Sequence, residues 1–364
     1  MSFGARALIR LGALRSNFER IREAADGAKV MAVVKANAYG HGLQTVARNL
    51  PDADSFAVAR YSEALQLHDV GTGKPIVLLK GILDSEELSE ALDRGFEMVV
   101  HCGRQVELLE RATTGNAIVW LKLDTGMRRL GFEPDRADDL IARLNGCRSV
   151  AEVRLMTHLA NADDREDDAT SRQLAAFRSI LRRFDGAFSI ANSAGILGWP
   201  ETMAAGHDSS RSWVRAGLCL YGVSPFPDTS GGDFGLRPAM EFSSKLIGVK
   251  ALRAGEAVGY GGTWKAPAPT TLGIVSAGYG DGYTRFLPSG TPVLVAGRRV
   301  ALAGRVSMDM ASVDLGAGAT DEVGAPVTLW GEGLPVEEVA ACAGTSPYQL
   351  LSGVTHRERS ETLE

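Results

Sequence analysis

Eight short apolar runs, separated by helix-sized segments, constrain the fold of residues 30–220. The runs lie at 30–34, 55–59, 75–79, 97–100, 117–123, 152–157, 188–191 and 213–220. An amphipathic pattern of helical period precedes the first run, at 14–25. Further patterns of this kind lie between most of the runs, at 61–70, 84–94, 104–113, 136–144 and 169–184. Eight parallel strands joined by helical crossovers are the number that closes a barrel. The sequence therefore predicts an α/β protein with a (β/α)8 TIM-type barrel.

The composition and the apolar pattern of the sequence change after the predicted barrel. A linker rich in proline and glycine occupies 225–235. Short apolar runs bounded by glycine and proline follow it, and no long helical pattern appears before 336–343. We therefore expect a second, mainly β domain. The predicted boundaries are 12–230 for the barrel and 235–364, together with residues 1–11, for the C-terminal β domain.

Composition excludes several classes of protein. A net charge of −5 with no basic block argues against a nucleic-acid partner. No apolar run approaches the roughly 18 residues of a membrane span, and the N-terminus lacks the pattern of a signal peptide. The four cysteines form no CxxC pair, which indicates reduced thiols in a cytoplasmic protein. The histidines form no HxH or HExxH pair, so no metal site is expected.

Nearly every predicted barrel strand ends in a polar or ionisable residue. Barrel enzymes collect their chemistry at the carboxyl ends of the strands, so these side chains are expected to face one another. They are Lys35, Arg60, Lys80, His101, Lys122 with Asp124, His158, Asn192 with Ser193, and Arg215.

Lys35 ends the apolar run Val30-Met-Ala-Val-Val34. Burying an unpaired ammonium is unfavourable, but desolvation lowers the pKa of an amine and frees its lone pair to attack a carbonyl. The alternative is that Lys35 extends to the rim of the strand and serves only packing.

The segment Val33-Val-Lys-Ala-Asn-Ala-Tyr-Gly-His-Gly42 closely resembles the pyridoxal-phosphate attachment signature of bacterial alanine racemases. The resemblance implies that Lys35 holds pyridoxal 5'-phosphate as a Schiff base. It also implies that Tyr39 binds the phosphate of this cofactor. Related cofactor-binding proteins carry shorter forms of the signature, so the rest of the chain has to distinguish among them.

A second match is Lys122-Leu-Asp-Thr-Gly-Met-Arg-Arg-Leu-Gly-Phe132. It resembles the racemase segment whose lysine is open to carbamylation and whose arginine contacts the substrate carboxylate, roles that map to Lys122 and Arg129. A carbamate would turn a cation into an anion, which could hold Arg129 by a charge-assisted bond. The alternative is an ordinary ion pair between Lys122 and Asp124. Arg128 stands where many relatives have a smaller residue.

Further matches fall at the ends of the last barrel strands and near the C-terminus. The resemblance makes His158 a positioner of the catalytic groups, and Ser193 and Tyr348 ligands of the cofactor phosphate. It places Arg215 opposite the pyridine nitrogen. An arginine accepts no proton, so the ring should stay neutral and hold a carbanion only briefly, which suits a racemase. Taken alone, a histidine that ends an apolar strand is more often structural.

The β domain carries three more family blocks. Val258-Gly-Tyr-Gly-Gly-Thr-Trp264 resembles the segment that supplies the second catalytic base, here Tyr260. The other two blocks imply Tyr279 at the substrate entrance, and Met308 with Asp309 at the edge of the site, where Met308 helps Arg129 to bind the carboxylate. Without the resemblance, we would interpret all of these segments as aromatic turns. The C-terminus departs from the usual last strand of the family.

Together the matches imply a pyridoxal-phosphate-dependent alanine racemase that interconverts L- and D-alanine with two bases and supplies D-alanine for peptidoglycan. We expect a homodimer in which Tyr260 enters the partner's site, because the short linker hinders the β domain from folding over its own barrel. Broader specificity, or a preference for serine, stays open. A decarboxylase of the same fold would bring a cysteine where Ser307 and Met308 stand, and a single-barrel cofactor carrier would lack the β domain.

Overall fold

The structure is a computed structural model that describes residues 3–204, 209–355 and 359–363. After strand β1 (Arg6–Arg10), eight parallel strands within these residues close into a barrel. Each strand pairs with its neighbour in sequence, and the last pairs with the first. The predicted (β/α)8 barrel is confirmed. Its strands are β2 (Lys29–Val33), β3 (Ser55–Val58), β4 (Ile76–Leu78), β5 (Glu97–Val100), β6 (Ala117–Lys122), β7 (Val150–Met156), β8 (Phe188–Ser189) and β9 (Ser212–Ala216).

Helical segments surround the barrel. Helix α6 shows why they form: Val106 and Leu109 are buried while Glu107 and Glu110 face solvent, so one stripe packs on the sheet. Further 3-10 turns lie at Pro134–Arg136, Ser209–Arg211, Leu218–Tyr221, Gly231–Phe234 and Tyr260–Gly262. The segments are α1 (Leu11–Ala24), α2 (Lys35–Tyr39), α3 (Leu43–Arg48), α4 (Tyr61–His68), α5 (Ser85–Asp93), α6 (Gly103–Arg111), α7 (Ala137–Asn145), α8 (Ala169–Leu181), α9 (Ser193–Gly198) and α10 (Glu201–Ala204).

Several predicted boundaries were wrong by two or more residues. The run 213–220 ends as a strand at Ala216, because Gly217 leaves the extended region with φ −111° and ψ −102°. The run 188–191 is a strand only to Ser189, after which the chain turns toward the N-cap of α9. Helix α1 begins at Leu11 rather than at residue 14, since Leu11 lies on the same buried face as Leu14.

The C-terminal part is an eight-stranded sheet in the order β13-β16-β15-β14-β17-β10-β1-β18, with a separate hairpin β11–β12. The N-terminal strand β1 thus belongs to this sheet, where it pairs antiparallel with β10 and parallel with β18. Residues 356–358 of the divergent tail lie outside the described residues. The elements are β10 (Met240–Leu252), β11 (Ala257–Val258), β12 (Trp264–Lys265), β13 (Thr270–Val275), β14 (Pro292–Val295), β15 (Arg298–Leu302), β16 (Ala311–Gly316), β17 (Pro326–Trp330), α11 (Val336–Cys342), α12 (Pro347–Ser352) and β18 (Arg359–Leu363).

Two polar side chains, the buried Asn17 and the half-buried Glu337, fix the joint between barrel and sheet. The Asn17 amide donates to the carbonyls of Leu220 and Arg237, at 3.1 Å and 2.8 Å. The Glu337 carboxylate accepts from the backbone N–H groups of Ser224 and Gly231, at 2.9 Å and 2.8 Å. Because both ends of the linker are tied, the sheet is held in one position on the barrel. The domain boundaries at 12–230 and 235–364 stay a prediction.

Helix α12 of the β domain reaches the mouth of its own barrel. It approaches the turn after β2 so closely that a Cβ on Gly40 would lie 2.2 Å from the carbonyl oxygen of Leu351. Our expectation that the linker keeps the β domain away from its own barrel mouth was therefore wrong for this helix. Within the described ranges, no helix combines the length and the apolar composition needed to span a membrane.

Candidate active site

A cavity of about 440 Å³ opens at the carboxyl ends of the barrel strands. A larger cavity of about 540 Å³ lies near Arg10, Arg237 and Glu332, but none of the polar strand-end residues lines it, so the chemistry lies in the smaller one. The smaller cavity brings together ten residues that the sequence singles out: Lys35, Tyr39, Lys80, Lys122, Arg129, His158, Asn192, Ser193, Arg215 and Tyr348.

Lys35 follows the buried strand β2 and begins an unusual turn. The next four residues, Ala36 to Tyr39, all have left-handed φ angles of 52° or 53°. Left-handed helical backbone costs roughly 1–2 kcal/mol per L-residue and normally occurs at single positions. A run of four therefore requires support from the surrounding structure.

Burial lowers the pKa of the Lys35 ammonium, and the positive charge of Arg129 lowers it further. The carboxylate of Glu63 acts in the opposite direction. A lowered pKa increases the fraction of neutral amine at neutral pH, which is the form that attacks a carbonyl. Lys35 is thus suited to covalent chemistry at the cavity wall.

Hydroxyl side chains from separate segments of the chain lie near Gly217. We call this group, formed by Tyr39, Ser193 and Tyr348, the hydroxyl cradle. A Cβ on Gly217 would lie 3.0 Å from the Tyr39 hydroxyl and 3.6 Å from the Ser193 hydroxyl, so only glycine leaves this space open. The Ser193 hydroxyl accepts from the backbone N–H of Gly217 at 3.2 Å. The ring centroid of Tyr348 lies 5.6 Å from that of Tyr39.

The two tyrosines of the cradle are proton donors at neutral pH. Burial raises the pKa of the Tyr39 hydroxyl far above its ordinary value and that of Tyr348 to about 12. Protonated hydroxyls and backbone N–H groups are the partners that bind an anionic phosphate. The cradle is therefore a candidate phosphate site.

Arg215 lies fully buried in the barrel, on β9. Its guanidinium donates to the carbonyl oxygens of Thr157 at 2.7 Å and Ile190 at 3.0 Å, and to the Ser189 hydroxyl. Burial lowers the pKa of Arg215 to about 10, so it is still a cation at neutral pH. A fourth contact joins it to Nδ1 of His158 at 3.2 Å.

Lys122 ends β6 and is buried beside two arginines. Burial lowers the pKa of its ammonium to about 8, and the charges of Arg215 and Arg129 act in the same direction. The Asp124 carboxylate accepts from the backbone N–H groups of Gly126 and Arg128 at 3.0 Å each. It is therefore hydrogen-bonded within the loop that follows β6. Arg128 itself has a φ of 54° and pairs with Glu133 at 2.7 Å on the outside.

Four of the five predicted residues of the β domain do not line the cavity of their own chain, whereas Tyr348 does. Tyr260 is 67% exposed and Met308 is 53% exposed, and Asp309 also faces solvent. Their loops are joined, since the backbone N–H of Tyr279 donates to the carbonyl of Ser307 at 3.0 Å. We call the surface formed by Tyr260, Tyr279, Met308 and Asp309 the β-domain face.

Some residues of the site were missed from sequence. Gly217 bounds the cradle, and a signal was available because it stands two residues after Arg215 in the matched segment Val214-Arg-Ala-Gly217. The apolar part of the cavity wall is formed by Leu79, Leu130 and Met156. The sequence does not mark them as site residues, apart from their place at strand ends or in the matched loop.

Comparison with known proteins places this architecture in a family. A model described as "Alanine racemase, N-terminal domain" matches residues 9–225, and one described as "Alanine racemase, C-terminal domain" matches residues 239–362. The chain is 50% identical over 361 residues to an alanine racemase of Yersinia pestis bv. Antiqua (strain Angola), which covers 99% of both chains. It is 49% identical over 356 residues to "Alanine racemase, biosynthetic" of Escherichia coli (strain K12), with 97% of each covered.

The solved structures agree with the curated relatives. The biosynthetic alanine racemase from Pseudomonas aeruginosa superimposes with a TM-score of 0.95 and 42% sequence identity, and the match covers 100% of both chains. Identity at this level over both domains goes beyond a shared barrel, which alone would leave the chemistry open. The chain belongs to the alanine racemase family, a family of isomerases.

Proposed function

We propose that this enzyme interconverts L-alanine and D-alanine with pyridoxal 5'-phosphate as its cofactor, and that it supplies D-alanine for peptidoglycan. The observation that carries the proposal is that Lys35, a lysine with a lowered pKa, shares one cavity with the hydroxyl cradle around Gly217. A biosynthetic role is supported by the relatives from E. coli and P. aeruginosa, both of which are named as biosynthetic alanine racemases. Four free cysteines support a cytoplasmic location.

The residues of the cavity fit the cofactor. Tyr39, Ser193 and Tyr348 would hold its phosphate, and the space that a Cβ on Gly217 would fill stays open for it. The amine of Lys35 would join its aldehyde carbon, and Arg215 would donate to its ring nitrogen. When bound, pyridoxal 5'-phosphate withdraws electrons from an amino acid joined to it and so acidifies the α-hydrogen.

Arg215 limits how far that acidification goes. It has no acceptor atom and is still a cation at neutral pH, so it offers the ring nitrogen a hydrogen bond and leaves it without a proton. His158 supports this arrangement by accepting from Arg215. A weaker electron sink favours rapid return of the proton to the α-carbon over competing reactions.

Racemisation requires proton transfer on both faces of the α-carbon, and two fixed bases provide it without moving one base around the substrate. We assign Nζ of Lys35 to the α-hydrogen of the D-isomer and the Tyr260 hydroxyl to that of the L-isomer. Arg129 would bind the substrate carboxylate together with Met308. A carbamate on Lys122 would give Arg129 an anionic partner, and the lowered pKa of Lys122 supports its formation because only the neutral amine reacts with carbon dioxide.

Because the β-domain face lies outside the cavity of its own chain, we propose a homodimer with shared sites. Tyr260 is 67% exposed, which is unusual for a residue that must reach a dry cavity. A second copy would bring Tyr260 of the partner subunit to the barrel mouth, where α12 already supplies Tyr348 from the same chain. The face would then be buried in the interface.

Reductive trapping tests the proposed function. Borohydride treatment of the protein with pyridoxal 5'-phosphate should fix the cofactor to one lysine, and peptide mapping should find the label on Lys35. A screen across L-amino acids should show the fastest racemisation with alanine. A label on another lysine would overturn the assignment of Lys35, and faster turnover of serine would place the substrate preference elsewhere.

A further inference from the structure

The left-handed turn at residues 36–39 decides where the side chain of Lys35 points, because it begins directly after that residue. Bonds within the segment hold the shape of this turn. The Asn37 side chain accepts from the backbone N–H of Leu43 at 2.9 Å. Nδ1 of His41 lies 3.1 Å from the carbonyl of Ala38 and 3.0 Å from that of Tyr39, so it carries a hydrogen and donates to both.

Those bonds leave open what fixes the turn to the barrel. At its far end, the His41 ring packs on Tyr221 with 4.5 Å between centroids, and the Tyr221 hydroxyl donates to the carbonyl of Val33 at 2.9 Å. The near end, next to Lys35, is tied by a different residue. That residue is Glu63, in the first turn of α4.

Glu63 uses both oxygens of one carboxylate. Oε1 accepts from the backbone N–H of Ala36 at 2.7 Å. Oε2 accepts from the N–H groups of Ala59 and Arg60, at 2.9 Å and 3.0 Å. The bond of Oε2 to Arg60 belongs to the capping box of α4, but the bond of Oε1 to Ala36 contributes nothing to that cap. One carboxylate therefore joins the segment after β2 to the segment after β3.

We propose that Glu63 is a positioning residue for Lys35: its bond to Ala36 holds the turn so that the Lys35 amine faces the cavity. The inference rests on the proposed role of Lys35. Charge-assisted bonds are about twice as strong as neutral ones, which suits a bond that must hold strained backbone. A mere helix cap would stabilise α4 and leave Lys35 unaffected.

The chain offers a matched control at Asp84, the N-cap of α5. Its Oδ1 accepts from the backbone N–H groups of Glu86 and Glu87, at 2.9 Å and 3.0 Å, which is a helix cap of the same barrel. Asp84→Asn removes a capping charge from a residue that does not line the cavity. Glu63→Gln removes a charge of the same kind, and it leaves one oxygen for two sets of donors, so either Ala36 or the cap loses its acceptor.

Hydrogen exchange in the full-length protein without cofactor directly tests the bond between Glu63 and Ala36. We expect the amides of peptides that contain residues 34–42 to exchange at least about tenfold faster in Glu63→Gln than in wild type, and to be unchanged in Asp84→Asn. With cofactor, kcat should fall about 10–100-fold in Glu63→Gln, because misplacement of a reacting group costs that much, while KM for alanine changes little. Asp84→Asn should keep wild-type kcat.

The outcomes separate this inference from the proposed function. Unchanged exchange at residues 34–42 in Glu63→Gln, or an equal loss of kcat in Asp84→Asn, would overturn the positioning role. Failure of Lys35 to bind pyridoxal 5'-phosphate would overturn the proposed function. The exchange result would still show whether the bond between Glu63 and Ala36 holds the turn. If Glu63→Gln does not fold, Glu63→Asp replaces it: its shorter stem keeps the charge but cannot span both segments, so the same faster exchange is expected.

Discussion

The guanidinium of Arg215 lies 3.2 Å from Nδ1 of His158, and this contact fixes the protonation state of both residues. Arginine has only donors, so Nδ1 must carry a lone pair and the ring hydrogen lies on Nε2. Burial and then the charge of Arg215 lower the pKa of His158 well below its ordinary value, which keeps the imidazole neutral. The pair therefore carries a single positive charge, on Arg215.

Arg215→Lys tests the geometry of this cation. The substitution keeps the charge but loses the planar fork that serves Thr157, Ile190 and His158. Because hydrogen bonds to charged groups contribute about 1.5–3 kcal/mol each, we expect the free energy of unfolding to fall by roughly 2–4 kcal/mol. Urea unfolding measures this. A variant as stable as wild type would show that the bonds of Arg215 contribute little to stability.

Gly217→Ala should weaken cofactor binding. Its Cβ would lie 3.0 Å from the Tyr39 hydroxyl, inside the space that we assign to the phosphate. Gly103→Ala is the control, since no atom lies within 4 Å of its Cβ position and its φ is not positive. We expect the dissociation constant for pyridoxal 5'-phosphate, measured by absorbance titration, to rise at least about tenfold only in Gly217→Ala. Equal affinities in the two variants would contradict the assignment of the cradle.

Lys122 should make stability depend on pH. The pKa of its ammonium is about 8 in the folded protein, below the ordinary value of 10.5, so burial of the charged form opposes folding. The unfolded chain binds more protons between these two values, and stability therefore rises with pH through that window.

Lys122→Met removes this penalty and should be more stable than wild type near neutral pH, by at most roughly 3 kcal/mol. The advantage should shrink as the pH rises from 8 to above 10, because the wild-type amine becomes neutral in both states. Urea unfolding in buffers free of carbon dioxide measures the difference, since a carbamate would introduce another charge. A difference independent of pH would contradict the depressed pKa.

Mixing two inactive variants tests the shared site. Lys35→Ala keeps Tyr260, and Tyr260→Phe keeps Lys35, so one of the two sites in a mixed dimer combines an intact residue from each chain. Random exchange makes half of the dimers mixed, and activity should recover to about a quarter of wild type. Absence of recovery, with mixed dimers demonstrated by mass spectrometry, would argue for sites contained within one chain.

Much of the barrel could be predicted from sequence because its signals are local. The apolar runs and the polar residues that end them follow from burial and strand geometry, and ten of the residues singled out do line one cavity. The left-handed turn could not be predicted, since Ala36 to Tyr39 carry no glycine and prefer other backbone conformations. Part of its support is tertiary, since Glu63 lies 27 residues from Ala36.

The contact of Leu351 with Gly40 was missed for the same reason. It joins two parts of the chain that no periodic pattern connects, and it depends on how the sheet sits on the barrel. Gly40 indicated a close contact, because a glycine is required where another backbone segment comes this close. The glycine does not indicate which segment approaches. Long-range contacts of this kind set the position of the β-domain face relative to the barrel mouth.

Tyr260→Phe gives the sharpest test of two bases, because the two faces of the α-carbon can be followed separately. Lys35 lines the cavity within its own chain, whereas Tyr260 lies on the β-domain face. If each serves one face, removing the Tyr260 hydroxyl disables only one of them. In heavy water the variant should still exchange the α-hydrogen of D-alanine, exchange that of L-alanine at least about a hundredfold more slowly, and barely interconvert the two. Tyr61→Phe, whose hydroxyl donates to Glu90 on the outside of the barrel, should exchange both isomers like wild type. Equal loss of exchange for both isomers in Tyr260→Phe would show that the hydroxyl serves the site as a whole and not one face.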